Sequence, residues 1–332
     1  MMVGQKIDLN IDRPEPKNSK DRLFIKNLNY TNPEGRKVLK NISFTVKSGE
    51  ILGIAGISGN GQKELLESIS GLVPFNSGEI LFLNPKENAP VTFFHHDVFE
   101  IKKMSAEGVF YHADTKEKLD LSRTPLSEIK KLVNNNKVIY YEDNLINLKY
   151  KNPQEIRELG IRLSFVPEDR LGMGLVPAMD LVDNMMLRSY RKGFGTVADR
   201  KKPAILADQI INDLEVVTPN KYTPIKNLSG GNIQKLLVGR EIAYNPKVLM
   251  AAYPVRGLDI NSSYAIYDLL NKQKEKGVAV LFVGEDLDVM LSLCDRLVVL
   301  CDGQVNGIVD ARTVTKEEVG QLMTKLQEKE AQ

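Results

Sequence analysis

Short uninterrupted runs of apolar residues recur along the chain and predict the strands of a buried sheet. They lie at Ile51–Ala55, Gly160–Val166, Val248–Ala252, Val278–Val283 and Arg296–Cys301. Strands that are apolar on both sides are typical of a parallel sheet covered on both faces. Two earlier runs, Leu23–Tyr30 and Val38–Val46, flank a turn that contains Pro33 and Gly35, so they predict an antiparallel pair.

Apolar residues at helical spacing lie between these runs and predict helices. One helix begins after Gly61, two lie at Asp180–Leu187 and Ala204–Val217, and another follows Gly231. Strands that alternate with helices indicate an α/β fold with a parallel or mixed core sheet. The pattern adds an antiparallel β subdomain near the N-terminus and an α-helical subdomain at about 170–235.

The rest of the chain predicts flanking segments around one main domain at 22–312. Residues 1–21 are polar and contain Asp12-Arg13-Pro14-Glu15-Pro16-Lys17, which predicts a linker. Residues 84–150 are too long for an ordinary connection of about 4–6 residues, and their aromatic-rich stretches predict a β-rich insertion. Residues 313–332 predict a polar C-terminal helix and tail. The adjacent His95 and His96 do not predict a metal site, because neighbouring side chains on a strand point to opposite faces.

Composition and charge narrow the function classes without selecting one. The chain has 332 residues, 27% of them charged, and a formal net charge of +2, which gives no reason to expect nucleic acid as a partner. Cys294 and Cys301 both lie among apolar residues, which favours buried thiols over a disulfide. Neither a secretory signal nor an apolar run of about 20 residues is present. We therefore expect a soluble, cytoplasmic protein.

Residues 56–64 carry the first candidate chemistry. An apolar strand runs directly into Gly56-Ile57-Ser58-Gly59-Asn60-Gly61-Gln62-Lys63-Glu64, and a helix follows. This order is the context of a phosphate-binding loop, in which backbone N–H groups surround the phosphates. The outer glycines fit Gly-x-x-x-x-Gly-Lys-Ser/Thr, but Gln62 replaces the lysine and Lys63 replaces the magnesium-binding hydroxyl. One step along a helix rotates a side chain by about 100°, so Lys63 does not substitute for the missing cation.

The second candidate is Leu228-Ser229-Gly230-Gly231-Asn232-Ile233-Gln234-Lys235 at the start of a helix. By itself this segment is only a turn and a helix cap. Its place between the glycine loop and Gly257-Leu258-Asp259 gives it more meaning, because that order resembles the ATPase domains of ABC transporters, whose signature is Leu-Ser-Gly-Gly. The continuation Asn-x-Gln-Lys resembles the branch that serves simple-sugar and nucleoside importers. The resemblance implies a P-loop NTPase fold that binds ATP with Mg²⁺.

Several positions depart from what the resemblance implies for an active ATPase. The aspartate and glutamate that end the strand before Pro254 are replaced by Ala252 and Tyr253, and the later histidine is replaced by Glu285. Glu168 stands where the family has a glutamine near the metal. Catalytic residues are therefore absent at these positions, and we expect negligible hydrolysis by this domain alone, with Mg²⁺ bound weakly or not at all.

The replaced residues and the retained residues have different roles. In an ABC dimer, each ATP lies between the phosphate loop of one domain and the signature of the other. The residues that act on the domain's own nucleotide are lost. The residues offered to the partner's nucleotide are kept: Ser229, Gly230, Gly231, Asn232, Gln234 and Asp259. This division predicts a domain that completes the active site of another domain while its own site is silent.

The resemblance also implies partners. Met2-Val3-Gly4 and the following proline-containing stretch resemble the end of a first ATPase domain, so we expect an intact ATPase domain upstream in the same polypeptide. Polytopic permease subunits would hold the chain at the inner face of the cell membrane. Two alternatives stay open: a soluble ABC ATPase of DNA repair or translation, and a nucleotide-independent scaffold.

Overall fold

The computed structural model describes residues 11–17, 19–84, 109–112, 118–119, 124–125, 127–128, 131–132, 138–141, 144–165, 174–187, 200–243 and 245–325. They divide into two compact units, one formed by the described parts of Met1–Ile80 and Lys149–Gln332, the other by those of Leu81–Leu148. Glu168, His95 and His96 lie outside the described residues.

The main strands and helices follow one another as the apolar pattern predicts. In chain order they are β1 (Asp21–Thr31), β2 (Lys37–Lys47), β3 (Ile51–Gly56), α1 (Gln62–Ile69), β4 (Ser77–Asn84), β5 (Val109–His112), β6 (Lys118–Leu119), β7 (Val138–Tyr141), β8 (Asn144–Asn147), α2 (Pro153–Glu158), β9 (Ile161–Phe165), α3 (Leu181–Met186), α4 (Lys201–Asp213), α5 (Gly230–Ile242), β10 (Val248–Ala252), α6 (Ile260–Glu275), β11 (Ala279–Val283), α7 (Leu287–Leu293), β12 (Arg296–Cys301), β13 (Gln304–Asp310) and α8 (Lys316–Thr324).

A six-stranded sheet forms the centre of the first unit, in the order β13-β12-β3-β11-β10-β9. The neighbours from β12 to β9 are parallel, and β13 is antiparallel to β12. Every residue of β10 and β11 is buried, as expected for a sheet covered on both faces. The predicted mixed core sheet is therefore confirmed.

Parallel strands bring their carboxyl ends to one edge of a sheet, where ligands bind in open α/β folds. Gly56, Ala252 and Val283 are the last residues of β3, β10 and β11. The segments that follow these three residues therefore begin at the same edge. They include the glycine loop, Tyr253 and Glu285.

The antiparallel and helical parts of the first unit are also present. β1 and β2 form the predicted antiparallel pair, with Leu23 opposite Val46 and Ile25 opposite Phe44. Helices α3, α4 and α5 share a separate apolar cluster. Its buried residues are Leu175, Leu181, Val182, Met185, Ala207, Ile210, Val216, Ile225, Ile233, Leu236 and Leu237. This cluster positions the start of α5, which carries the signature segment.

The second unit consists of short antiparallel strands. The second half of β4 pairs with β8, from Leu81 opposite Asn147 to Asn84 opposite Asn144. β5 pairs with both β6 and β7. The description of residues 84–150 as a β-rich insertion stays a prediction.

The N-terminal segment 11–17 is fastened to the first unit, although its composition predicts only a linker. The Arg13 guanidinium donates to the carbonyls of Leu291 at 2.8 Å and Cys294 at 2.6 Å. Lys274 donates to the Pro14 carbonyl and pairs with Asp295 at 2.7 Å, with both side chains almost fully buried. Asp295 also accepts from the backbone N–H of Ile51 at 2.9 Å. The segment is thereby tied to the beginning of β3.

Candidate functional site

The glycine loop joins β3 to α1 as predicted, with residues 57–61 outside regular structure. Gly59 and Gly61 have φ of +87° and +97°, a left-handed conformation that favours glycine. A Cβ at Gly61 would lie 2.6 Å from Leu39 Cδ2 and 3.1 Å from the Val38 carbonyl oxygen. Ser58 and Gly59 are exposed. The loop is thus an open turn at a helix N-terminus, the geometry that a phosphate requires.

The side chain of Gln62 is turned back into this loop. It is 4% exposed, and its Nε2 donates to the Ile57 carbonyl at 3.2 Å. Asn60 Nδ2 donates weakly to the Leu300 carbonyl at 3.4 Å. A neutral amide, that of Gln62, therefore binds one of the loop's own carbonyls at the position where a lysine would supply positive charge.

Lys63 lies on the outer side of α1, as the rotation along the helix predicts. Its side chain is 53% exposed, and its Nζ is 3.8 Å from Glu67 Oε1 one turn further on. Glu64 is the acidic residue in the first turn of α1, and its charge opposes an anion at that helix start. The loop lies at the N-terminus of α1, but the charge of Glu64 at that helix start does not favour a phosphate.

Tyr253 follows the last residue of β10, and Ala252 before it is 1% exposed. Tyr253 has a φ of +51°, and its N–H donates to the Val283 carbonyl at 2.8 Å. Burial raises the pKa of the Tyr253 phenol, the Glu285 carboxylate raises that pKa further, and Arg256 opposes the shift. The phenol is therefore protonated at neutral pH and cannot act as a general base.

Arg256 contacts both Tyr253 and Glu285, two positions at which the resemblance implies replaced catalytic residues, and this contact was not predicted from the sequence. Its guanidinium carbon lies 5.8 Å from the centre of the Tyr253 ring, and its Nε lies 3.0 Å from Glu285 Oε1. The ion pair joins the segments after β10 and β11. Opposite charges 29 positions apart give no periodic signal, so only the sheet topology could have revealed this pair.

The signature residues gather at a different place, where α5 and α6 begin. Ser229 is the N-cap of α5, and Asp259 is the N-cap of α6. A Cβ at Gly231 would lie 3.0 Å from Ser262 Oγ and 3.8 Å from Asp259 Oδ2. Asp259 accepts from the backbone N–H and the hydroxyl of Ser262, and these bonds lower the pKa of the carboxylate. The fold thus forms one signature surface from Ser229, Gly230, Gly231, Asn232 and Asp259.

Gln234 does not belong to this signature surface. It is 1% exposed, and within the described part of the chain both polar atoms of its amide lack a hydrogen-bond partner. We expected Gln234 to face the partner domain, whereas its side chain points into the protein. Among the described residues, no cluster of three or more His, Cys, Asp or Glu could hold a metal ion.

Similarity to known proteins identifies the family of this chain. Residues 39–254 match the family described as ABC transporter. This chain belongs to the ABC transporter family. Its fold is that of an ABC ATPase: a nucleotide-free ATP-binding cassette from an ABC transporter superposes with a TM-score of 0.61 at 18% identity, covering 92% of this chain and 95% of that chain. Over the residues described, no helix has the length and apolarity to cross a membrane.

The similar sequences are ATP-binding proteins of import systems. The guanosine import ATP-binding protein NupO of Bacillus subtilis (strain 168) is 29% identical over all of this chain and 53% of its own length. The nucleoside import ATP-binding protein NupA of Lactococcus lactis subsp. cremoris (strain MG1363) is 30% identical over 97% of this chain and 52% of its own length. The chain spans about half the length of the relatives it matches.

Proposed function

We propose that this chain is the nucleotide-binding half of an ABC importer for simple sugars or nucleosides, silent in its own hydrolytic site and active through its signature surface. The substrate class rests on the similar proteins, which include NupO, NupA and a xylose import ATP-binding protein, XylG, of Moorella thermoacetica (strain ATCC 39073 / JCM 9320). The signature surface completes the ATP site of an intact partner domain.

The observation that carries the proposal is the occupation of the glycine loop by Gln62. A neutral buried amide bound to the Ile57 carbonyl replaces the cation of an active site. Ala252 and the protonated Tyr253 can neither order Mg²⁺ nor activate water. A general base alone contributes about 10²–10⁴ in rate, so these replacements support the absence of turnover at the chain's own site.

The proposal includes two kinds of partner. The first is an intact ATPase domain, placed in the same polypeptide because the similar importer proteins are about twice as long as this chain. The second consists of polytopic permease subunits, which would keep the chain at the inner face of the cell membrane. Glu168 and the loop residues Gly56–Glu64 are proposed to contact nucleotide at the silent site.

The first test measures ATP binding and hydrolysis by this chain alone, by calorimetry with and without Mg²⁺ and by phosphate release. We expect weak binding that depends little on Mg²⁺, and hydrolysis indistinguishable from background. Robust turnover would contradict the silent site. Complete absence of binding would favour the nucleotide-independent scaffold.

A second test captures the complete protein that contains this chain from solubilised membranes. We expect a polytopic permease to be recovered with it. Recovery with nucleic acid and without a membrane subunit would favour the soluble ABC ATPase instead.

A further inference from the structure

The hydroxyl of Ser229 is held by two donors from a single residue. Its Oγ accepts from the backbone N–H of Asn232 at 3.5 Å, as a helix cap does, and from Asn232 Nδ2 at 2.9 Å. A serine hydroxyl has two acceptor positions and one proton. With both acceptor positions occupied, the proton of Ser229 is the only group left for a further hydrogen bond. Ser229 is exposed, so that proton is available to a molecule outside the chain.

The orientation of the Asn232 amide follows from its other contact. Asn232 Oδ1 accepts from the backbone N–H of Val217 at 3.0 Å. Because a backbone N–H can only donate, the oxygen of the amide must face Val217, and the NH₂ group must face Ser229. The same amide therefore cannot rotate to accept the Ser229 proton without losing its bond to Val217.

Val217 is itself fixed to the helical subdomain. It follows α4 in a turn where Glu215 has a φ of +48°. The neighbouring Val216 is 5% exposed, and its N–H donates to the Ile211 carbonyl at 2.9 Å. The amide of Asn232 thus links the Ser229 hydroxyl to the end of α4.

We propose that Asn232 is a positioning residue that makes Ser229 a hydrogen-bond donor toward a phosphate held by the partner domain. The inference rests on the proposed function, in which the signature surface meets the partner's ATP. Gly230 and Gly231 lie in the first turn of α5, where backbone N–H groups have no acceptor within the helix. In the proposed arrangement these two N–H groups donate to the same phosphate as the Ser229 hydroxyl. Asn232 itself does not contact the nucleotide; it acts through Ser229.

The test is a double-mutant cycle on the complete protein that contains this chain, assembled with its membrane subunits and supplied with Mg²⁺-ATP. Ser229→Ala should lower kcat about 100-fold, the loss expected for a preorganised donor. Asn232→Ala should lower kcat about 10-fold with KM unchanged, since the hydroxyl remains but is no longer oriented. In the Ser229→Ala background, Asn232→Ala should cause no further loss.

Asn220→Ala is the matched control, because Asn220 is an exposed asparagine in the same subdomain whose Oδ1 caps a turn at Tyr222 N–H, 2.8 Å away. It should leave kcat unchanged. If thermal unfolding shows that Asn232→Ala does not fold, Asn232→Leu is the second variant, because leucine has a similar size, adds no charge beside the phosphate and makes no bond to Ser229 or Val217. It should lower kcat about 10-fold by itself and cause no further loss in the Ser229→Ala background.

Equal losses from an Asn232 variant in both backgrounds would overturn the inference, since Asn232 would then act independently of Ser229. An unchanged kcat in Asn232→Ala would also overturn it. If Ser229→Ala itself leaves kcat unchanged, the proposed function of the signature surface has failed, and the inference fails with it. The separate single variants therefore distinguish the two failures.

Discussion

The glycine loop and the signature surface use similar polar residues in opposite ways. At the loop, Gln62 is bonded to the carbonyl of Ile57, and in the segments after β10 and β11 Arg256 is paired with Glu285. At the signature surface, Ser229 receives bonds from within the chain and keeps its proton for an outside acceptor. The first region is closed on itself, whereas the second presents donors.

The difference bears on our proposal that one half of a composite site is lost while the other half persists. Ser229 and Asp259 cap α5 and α6, and loss of such a cap costs about 1 kcal/mol of stability. The stability that these caps provide is therefore enough to favour Ser229 and Asp259 at their positions, whether or not they bind a phosphate. Tyr253 and Glu285 are not the N-caps of the helices that follow them, which begin after Asp259 and Asp286, so capping does not constrain these two positions. Experiments must consequently separate capping from phosphate binding.

The largest expected effect is on Ser229. Ser229→Arg should lower the ATPase activity of the complete assembly by more than about 100-fold, by removing a donor and filling the space of the phosphate. Ser229→Asp sharpens the test, because aspartate caps a helix as well as serine but repels a phosphate. It should leave the thermal unfolding midpoint unchanged and still remove activity.

Gln62→Ala is the comparison for the silent region and should change the ATPase rate of the assembly little. Equal damage from Gln62→Ala and Ser229→Arg would mean that the two regions contribute alike, and the division between them would not exist.

An intermediate effect is expected when the missing cation is restored. Gln62→Lys should tighten ATP binding to the isolated chain about 10-fold, because a charge-assisted hydrogen bond contributes about 1.5–3 kcal/mol. Lys63→Ala should change binding little, since Lys63 lies on the outer side of α1 toward Glu67. Calorimetry measures both variants. A larger change in ATP affinity from Lys63→Ala would show that Lys63, and not residue 62, stands at the phosphate.

The smallest effect is expected at the Arg256–Glu285 pair. The two side chains are 40% and 55% exposed, and exposed pairs contribute about 0–1 kcal/mol. Glu285→Gln should lower the free energy of unfolding by less than about 1 kcal/mol and leave hydrolysis by the chain at background. Glu285→His should likewise produce no turnover, because Ala252 and Tyr253 still lack carboxylates. Denaturant unfolding and phosphate release check these outcomes.

The sequence predicted the elements well because local patterns specify them. The apolar runs gave the parallel strands, and Gly61 with its neighbours gave the loop that joins β3 to α1. The orientation of Lys63 followed from helix geometry. The folding back of Gln62, the Arg256–Glu285 pair and the burial of Gln234 were not predicted, because each depends on tertiary packing. Segment 11–17 was missed for the same reason: its partners Lys274 and Asp295 lie far away in the chain.

The bonds that hold segment 11–17 determine when this segment can fold during synthesis. The two carbonyls that receive Arg13 lie 278 and 281 residues further along the chain. At about 5–20 residues per second, a ribosome needs roughly 15–60 s to make that stretch. Throughout that interval Arg13 lacks both of its acceptors. Segment 11–17 therefore reaches its final place only after α7 and Cys294 have emerged.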